Sequence, residues 1–122
     1  MVEGSQIDWA NHANNLEYQI TEILAFDEAV KVVMDWINAH PMRKQQTLFM
    51  VVADHDTGGL AITGPKDRLS NAGEYVEQSW VSESGHTAQD TVIWSQGPGS
   101  HKLARSLDNT DLYWVMKEVL RL

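Results

Sequence analysis

An α/β fold, built as a parallel sheet covered by helices, is predicted for this chain by three observations. The stretch from Leu16 to Ala39 carries Ile20, Ile23, Leu24, Val30, Val33, Met34 and Ile37 at three- and four-residue spacing, which makes one apolar stripe on a helix. The segment Thr47 to Ala53 is an uninterrupted apolar run, the pattern of a strand buried on both faces. Met1-Val2 precedes a Glu-Gly turn and reads as the tail of an earlier strand. Strand, helix and strand in this order make a βαβ unit. Only two apolar residues remain of its first strand, so an upstream portion is expected to precede Met1.

The other elements follow from local signals. Asp8 to Asn15 is polar and compatible with a short helix. Pro41 lies just beyond the long helix, where it is expected to block continuation. Gly58-Gly59 marks a turn, and Leu60 to Thr63 is expected as a short strand. Gly64 to Glu77 is polar and loop-like, Thr91 to Ser95 is expected as a strand, and Gly97-Pro98-Gly99-Ser100 breaks it. A last helix is expected from Asp111 to Leu120, with Asn109 or Thr110 as N-cap. Trp36, Trp94 and Trp114 fall in apolar patterns and are read as core. No internal repeat or low-complexity tract is present.

A length of 122 residues suits one domain. The formal net charge of −8 argues against a nucleic-acid partner. With no cysteine, a disulfide framework, thiolate zinc and a cysteine nucleophile are excluded. No apolar run approaches the roughly 20 residues that span a bilayer, so no membrane partner is expected. No signal segment is visible.

Residues suited to holding a cation occur in three places. Glu3, Asp8 and His12 lie in the opening segment, Asp54 and His55 follow the apolar run, and His86 precedes Thr87. Zinc is held by a few carboxylates and imidazoles drawn from distant parts of a chain. Asp8 and His12 are four apart, so on a helix they are neighbours on one face. Asp54 and His55 are adjacent and share a site only if the strand has ended before them. Glu3 and Asp54 both sit beyond carboxyl ends of expected strands, where sites gather in α/β sheets. Taken singly, each motif also has an ordinary reading: a surface ion pair, a turn with a hydrogen-bonded histidine, a surface histidine. His40 and His101 keep that ordinary reading, His40 as a cation at the end of a helix.

The combination is more specific than its parts. Val-Glu-Gly-Ser-x-Ile-Asp-x-x-x-His, then Ala-Asp-His-x-Thr-Gly-Gly, then His-Thr resembles the alkaline phosphatase family. Phe26-Asp27-Glu28-Ala29-Val30, Gly97-Pro98-Gly99 and Asp108-Asn109-Thr110-Asp111-Leu112 extend the resemblance over nearly the whole chain. It implies a three-layer αβα alkaline-phosphatase-like sheet, here only its C-terminal part, with residues 1–122 as a piece of one metal-binding domain. It also implies that Asp8, His12 and His86 hold a first zinc, that Asp54 and His55 hold a second, and that Glu3 serves a magnesium site. Trp9, next to the ligand aspartate, would lie near the substrate. The complete enzyme would carry two zinc ions and one magnesium, and this chain at least one zinc.

The implied activity is hydrolysis of phosphate monoesters by a serine nucleophile, in a periplasmic or secreted enzyme. A homodimer, or association with the upstream part, is the implied assembly. The departures are equally definite. The family's nucleophile lies in an Asp-Ser segment, and no serine here follows an aspartate. Arg43, Arg68, Arg105 and Arg121 lie outside any motif that would bind phosphate. The chain is therefore expected to be catalytically incomplete alone. The competing reading is a non-catalytic zinc-binding or structural module descended from a phosphatase.

Overall fold

The computed structural model describes residues 1–122. Four α-helices run over Gln6–His12 (α1), Leu16–Asn38 (α2), Pro41–Gln46 (α3) and Asn109–Leu120 (α4). Six strands run over Phe49–Val52 (β1), Asp56–Thr57 (β2), Leu60–Thr63 (β3), Glu77–Trp80 (β4), His86–Thr87 (β5) and Ile93–Gln96 (β6), and one 3-10 turn over Ser100–Leu103. The chain divides into two compact units, residues 1–28 with 55–90 and residues 29–54 with 91–122.

In the first unit, β2 pairs with β5 and β3 with β4, both antiparallel. Gly58 and Gly59 connect β2 to β3 with φ of 82° and 60°, a left-handed backbone that side-chain-bearing residues adopt only at a cost. Gly4 leads into α1, and the ring of Phe26 packs so closely over it that a Cβ there would lie 2.7 Å from Phe26 Cδ2. Ala10 is the buried apolar residue of this unit, and Gln19 and Thr57 are buried polar ones.

In the second unit, β1 pairs antiparallel with β6 in the register Phe49 with Gln96 through Val52 with Ile93. Ile37, Leu103 and Val115 are its buried apolar residues. The N-terminus of α4 is closed by a capping box: the Asp108 side chain accepts from the Thr110 amide at 3.0 Å, and the Asp111 side chain accepts from the Asp108 amide. These bonds satisfy amides that the helix itself leaves unpaired.

Several expectations are corrected. The long helix, the Leu60–Thr63 strand and the closing helix are present, but the N-cap of the last is Asp108, one residue before the expected pair. Met1-Val2 forms no strand. Pro41 lies just past the end of α2 at Asn38, with His40 before it held extended, as expected of a residue that blocks continuation, and it also opens α3, where its fixed φ and missing N–H suit the first helical position. His40 is accordingly the N-cap of α3, accepting from the Met42 amide through Nδ1 at 3.3 Å, and not a cation at a helix end. The described strand pairs are all antiparallel. An apolar run prepares a strand for burial, but it does not encode the direction of its neighbour. The polar stretch after Gly64 ends in β4, a strand whose Glu-Gln-Ser-Trp sequence carries no apolar alternation.

The three tryptophans are not core. Trp36, Trp94 and Trp114 are more than half exposed. Trp36 instead stacks under the Arg43 guanidinium, 4.0 Å from the ring centroid, a cation–π contact. The apolar stripe of α2 is only partly seated. Ile37 is buried and Val30, Val33 and Met34 are half-buried, whereas Ile20, Ile23 and Leu24 are exposed.

Candidate metal centre

The first unit gathers four of the expected donors. Asp8 and His12 lie one helical turn apart on α1 and face the same way, with His12 Nε2 3.4 Å from Asp8 Oδ2. The β2–β5 pairing supplies the others. Its register sets Thr57 opposite His86 and Asp56 opposite Thr87. Cross-strand partners share a face, and side chains alternate along a strand. Thr57 and His86 therefore point to one side, and His55, two residues before Thr57, points with them. On the other side Thr87 Oγ1 donates to Asp56 Oδ2 at 2.5 Å, and the same carboxylate accepts from the Gly59 amide at 3.1 Å.

His86 Nε2 lies 3.7 Å from Asp8 Oδ1 and 3.2 Å from His12 Nε2. The three separations among Asp8, His12 and His86 can be tested against an ion. Two donors each about 2.0–2.1 Å from a tetrahedral zinc are about 3.3 Å apart. The two imidazole nitrogens, 3.2 Å apart, stand near that value, while the Asp8 contacts of 3.4 and 3.7 Å run through different oxygens, Oδ2 toward His12 and Oδ1 toward His86. The three side chains converge on one small space without a single Asp8 oxygen serving both contacts. The ring of His55 stacks on that of His86, with centroids 3.7 Å apart and planes tilted by 23°. Asp8, His55 and His86 each offer a ligand atom within 4.8 Å of the others.

The surroundings orient His12 for such a role. Its Nδ1 lies 2.5 Å from the Ser84 carbonyl oxygen, which can only accept. Nδ1 therefore carries a proton, which in the neutral ring leaves the lone pair on Nε2, toward the cluster, the tautomer a metal requires. The loop bearing that carbonyl is pinned from several sides. Asn14, in the left-handed conformation at φ 48°, donates through Nδ2 to the Ser82 and Glu83 carbonyls at 3.0 and 3.3 Å. The Gly58 amide donates to the Gly85 carbonyl at 2.9 Å, and the Gly85 amide to Ser82 Oγ at 2.7 Å.

Thr57, Asn14 and the Ser84 carbonyl were not singled out as site residues from the sequence. Thr57 had a signal, since it is the threonine of Asp-His-x-Thr-Gly-Gly. Asn14 had a weaker one, an Asn-Asn pair at a helix end. A backbone carbonyl has none. Of the other candidates, Glu3 is exposed and outside the donor cluster, and Trp9 is exposed on α1 directly after Asp8. Asp54 is exposed and closes a segment of the second unit.

The family model described as alkaline phosphatase matches residues 1–77. Alkaline phosphatase 3 of Bacillus subtilis is 42% identical over 62 residues, covering 51% of this chain and 13% of the relative. Alkaline phosphatase of Escherichia coli K12 is 31% identical over 133 residues, covering 99% of this chain and 27% of the relative. Alkaline phosphatase from the Antarctic bacterium TAB5, as a histidine-to-aspartate variant with Mg bound in the M3 site, superposes with a TM-score of 0.79 at 31% identity. That match covers 98% of this chain and 34% of the TAB5 chain. The chain thus spans only about a tenth to a third of the length of these relatives. Its mixed helix–strand structure is a part of their α/β fold, and the chain belongs to the alkaline phosphatase family.

Proposed function

We propose that this chain supplies the metal-ligand portion of a phosphomonoesterase. Asp8, His12 and His86 hold a first zinc, and Asp54 and His55 belong to a second. Glu3 belongs to a magnesium site, with Trp9 beside the substrate. The observation that carries the reading is the convergence of His12 Nε2 and His86 Nε2, 3.2 Å apart, on the carboxylate of Asp8, with His55 stacked beside them. Bound zinc would act as a Lewis acid on phosphoryl oxygen and lower the pKa of a bound hydroxyl or water.

The residues of this chain have narrower tasks. Asp8 contributes negative charge to the site. His12 is held with Nε2 inward by the Ser84 carbonyl. His86 is positioned by the β2–β5 register. Preorganised donors of this kind do not reorganise during reaction, which is where electrostatic catalysis gains. The nucleophilic serine is proposed to come from outside these 122 residues, because none of their serines follows an aspartate. That same observation favours a second reading, a zinc-binding module without catalysis. A phosphate monoester is the proposed substrate, with a periplasmic or secreted setting and a homodimer, or association with the rest of the fold, as assembly. No helix is long and apolar enough to cross a membrane.

Elemental analysis of the purified chain, dialysed against trace zinc, tests the reading. At least one zinc per chain is expected, falling when His12 is replaced by alanine. A chain that retains no zinc overturns it. Hydrolysis of a phosphate monoester by the zinc-loaded chain, alone and mixed with the remainder of an alkaline phosphatase, separates the two readings. Turnover on mixing favours the enzyme, and zinc retention without turnover in either case favours the module.

A further inference from the structure

The buried hydroxyl of Thr57 touches ligands proposed for both zinc positions. Thr57 is 4% exposed. Its Oγ1 donates to Asp8 Oδ1 at 2.5 Å and lies 3.3 Å from His55 Nδ1. A threonine hydroxyl has one proton and two lone pairs. The proton is committed to the Asp8 carboxylate, which has none to give. The His55 contact must therefore run the other way, with Nδ1–H donating to Thr57 Oγ1. In the neutral ring, Nε2 of His55 is then the lone-pair nitrogen.

We infer that Thr57 is a positioning residue that ties the two zinc positions together. It anchors the carboxylate of one and selects the metal-binding tautomer of the imidazole of the other. The inference rests on the reading that Asp8 and His55 are metal ligands. His12 gains the same tautomer from a backbone carbonyl. His55 gains it from a side chain that also restrains Asp8, so a single substitution reaches both positions. The β2–β5 register makes this possible, because it holds Thr57 opposite His86 with its side chain on the ligand face. Partners that orient metal ligands in this manner are worth about 10- to 100-fold in metal affinity.

The test is competition of the chain with a chelator for Zn²⁺, on the wild type, Thr57→Val and Thr57→Ser. Valine keeps the shape without the hydroxyl, and serine keeps the hydroxyl. Expected are a loss of about 10- to 100-fold for Thr57→Val and near-wild-type affinity for Thr57→Ser. Equal affinity of Thr57→Val and wild type overturns the role of Thr57 and leaves the zinc reading standing. A wild type that binds no zinc overturns both. Should Thr57→Val fail to fold, nitrogen-15 NMR of the metal-free wild type decides the point. His55 protonated on Nδ1 supports the assignment, and His55 protonated on Nε2 overturns it.

Discussion

Replacing Gly58 by alanine separates backbone strain from steric conflict at the turn that supports the ligand loop. Gly58 has φ of 82°, and a Cβ built there would lie 2.6 Å from Trp80 Cε3, 2.9 Å from Cζ3 and 3.1 Å from the Asn11 carbonyl oxygen. The left-handed backbone alone costs a non-glycine residue about 1–2 kcal/mol. Forcing extra volume into a packed position adds about 1–3 kcal/mol. The expected loss is therefore about 2–5 kcal/mol, a large share of the roughly 5–15 kcal/mol that stabilises an ordinary domain. Gly73 is the internal control. It has φ of 78° and nothing within 4 Å of its added Cβ, so Gly73→Ala is expected to cost only the backbone part. Urea unfolding followed by circular dichroism measures both. The Gly58 amide bonds the Gly85 carbonyl, and its own carbonyl accepts from the Val81 and Ser82 amides. Gly58→Ala should therefore also weaken zinc retention through the loop carrying the Ser84 carbonyl, whereas Gly73→Ala should not. Equal stability of the two variants would refute the steric argument.

Three further outcomes are expected. His12→Ala removes one of the ligands proposed for the first zinc, and zinc should raise the melting temperature less than in the wild type. For the wild type, free zinc at 100 times Kd is expected to add about 2.7 kcal/mol. An unchanged zinc-dependent shift in the variant would count against the ligand set. The Arg68 guanidinium bonding the Glu74 carboxylate, helped by the Asn71 amide, holds that carboxyl down at about 2. A depressed carboxyl contributes stability above its ordinary value of 4.5 and loses it as pH falls toward 2. Carbon-13 NMR titration should show Glu74 returning toward the ordinary range in Arg68→Gln; no movement would dissociate the shift from Arg68. The Asp108 carboxyl is likewise depressed, first by the Thr110 amide and then by the Thr110 hydroxyl. Asp108→Ala should fray the first turn of α4, read as lost helical ellipticity, and Asp108→Asn should keep most of it because asparagine also caps. Equal ellipticity in the two variants would argue against the cap.

The chemistry of this chain was legible where it depends on residue type and short spacing. The four-residue interval of Asp8 and His12 is a property of any helix, and the long stripe of α2 announced a helix whatever packs against it. The family motif also named His55 and His86 as relevant. Sequence order could not say that Thr57 stands opposite His86, because strand register is a long-range property set by pairing. The Ser84 carbonyl and the Asn14 clasp depend on a loop closing over about 70 residues of intervening chain. The tryptophans show the converse limit. Their apolar neighbours predicted burial, but burial depends on what covers a surface. Over the residues described here, Trp36, Trp94 and Trp114 and the first half of the α2 stripe are left exposed. Local spacing therefore determined which atoms could serve a metal, while tertiary structure decided their separations, their tautomers and the hydroxyl that joins them, since those follow from contacts between segments distant in sequence.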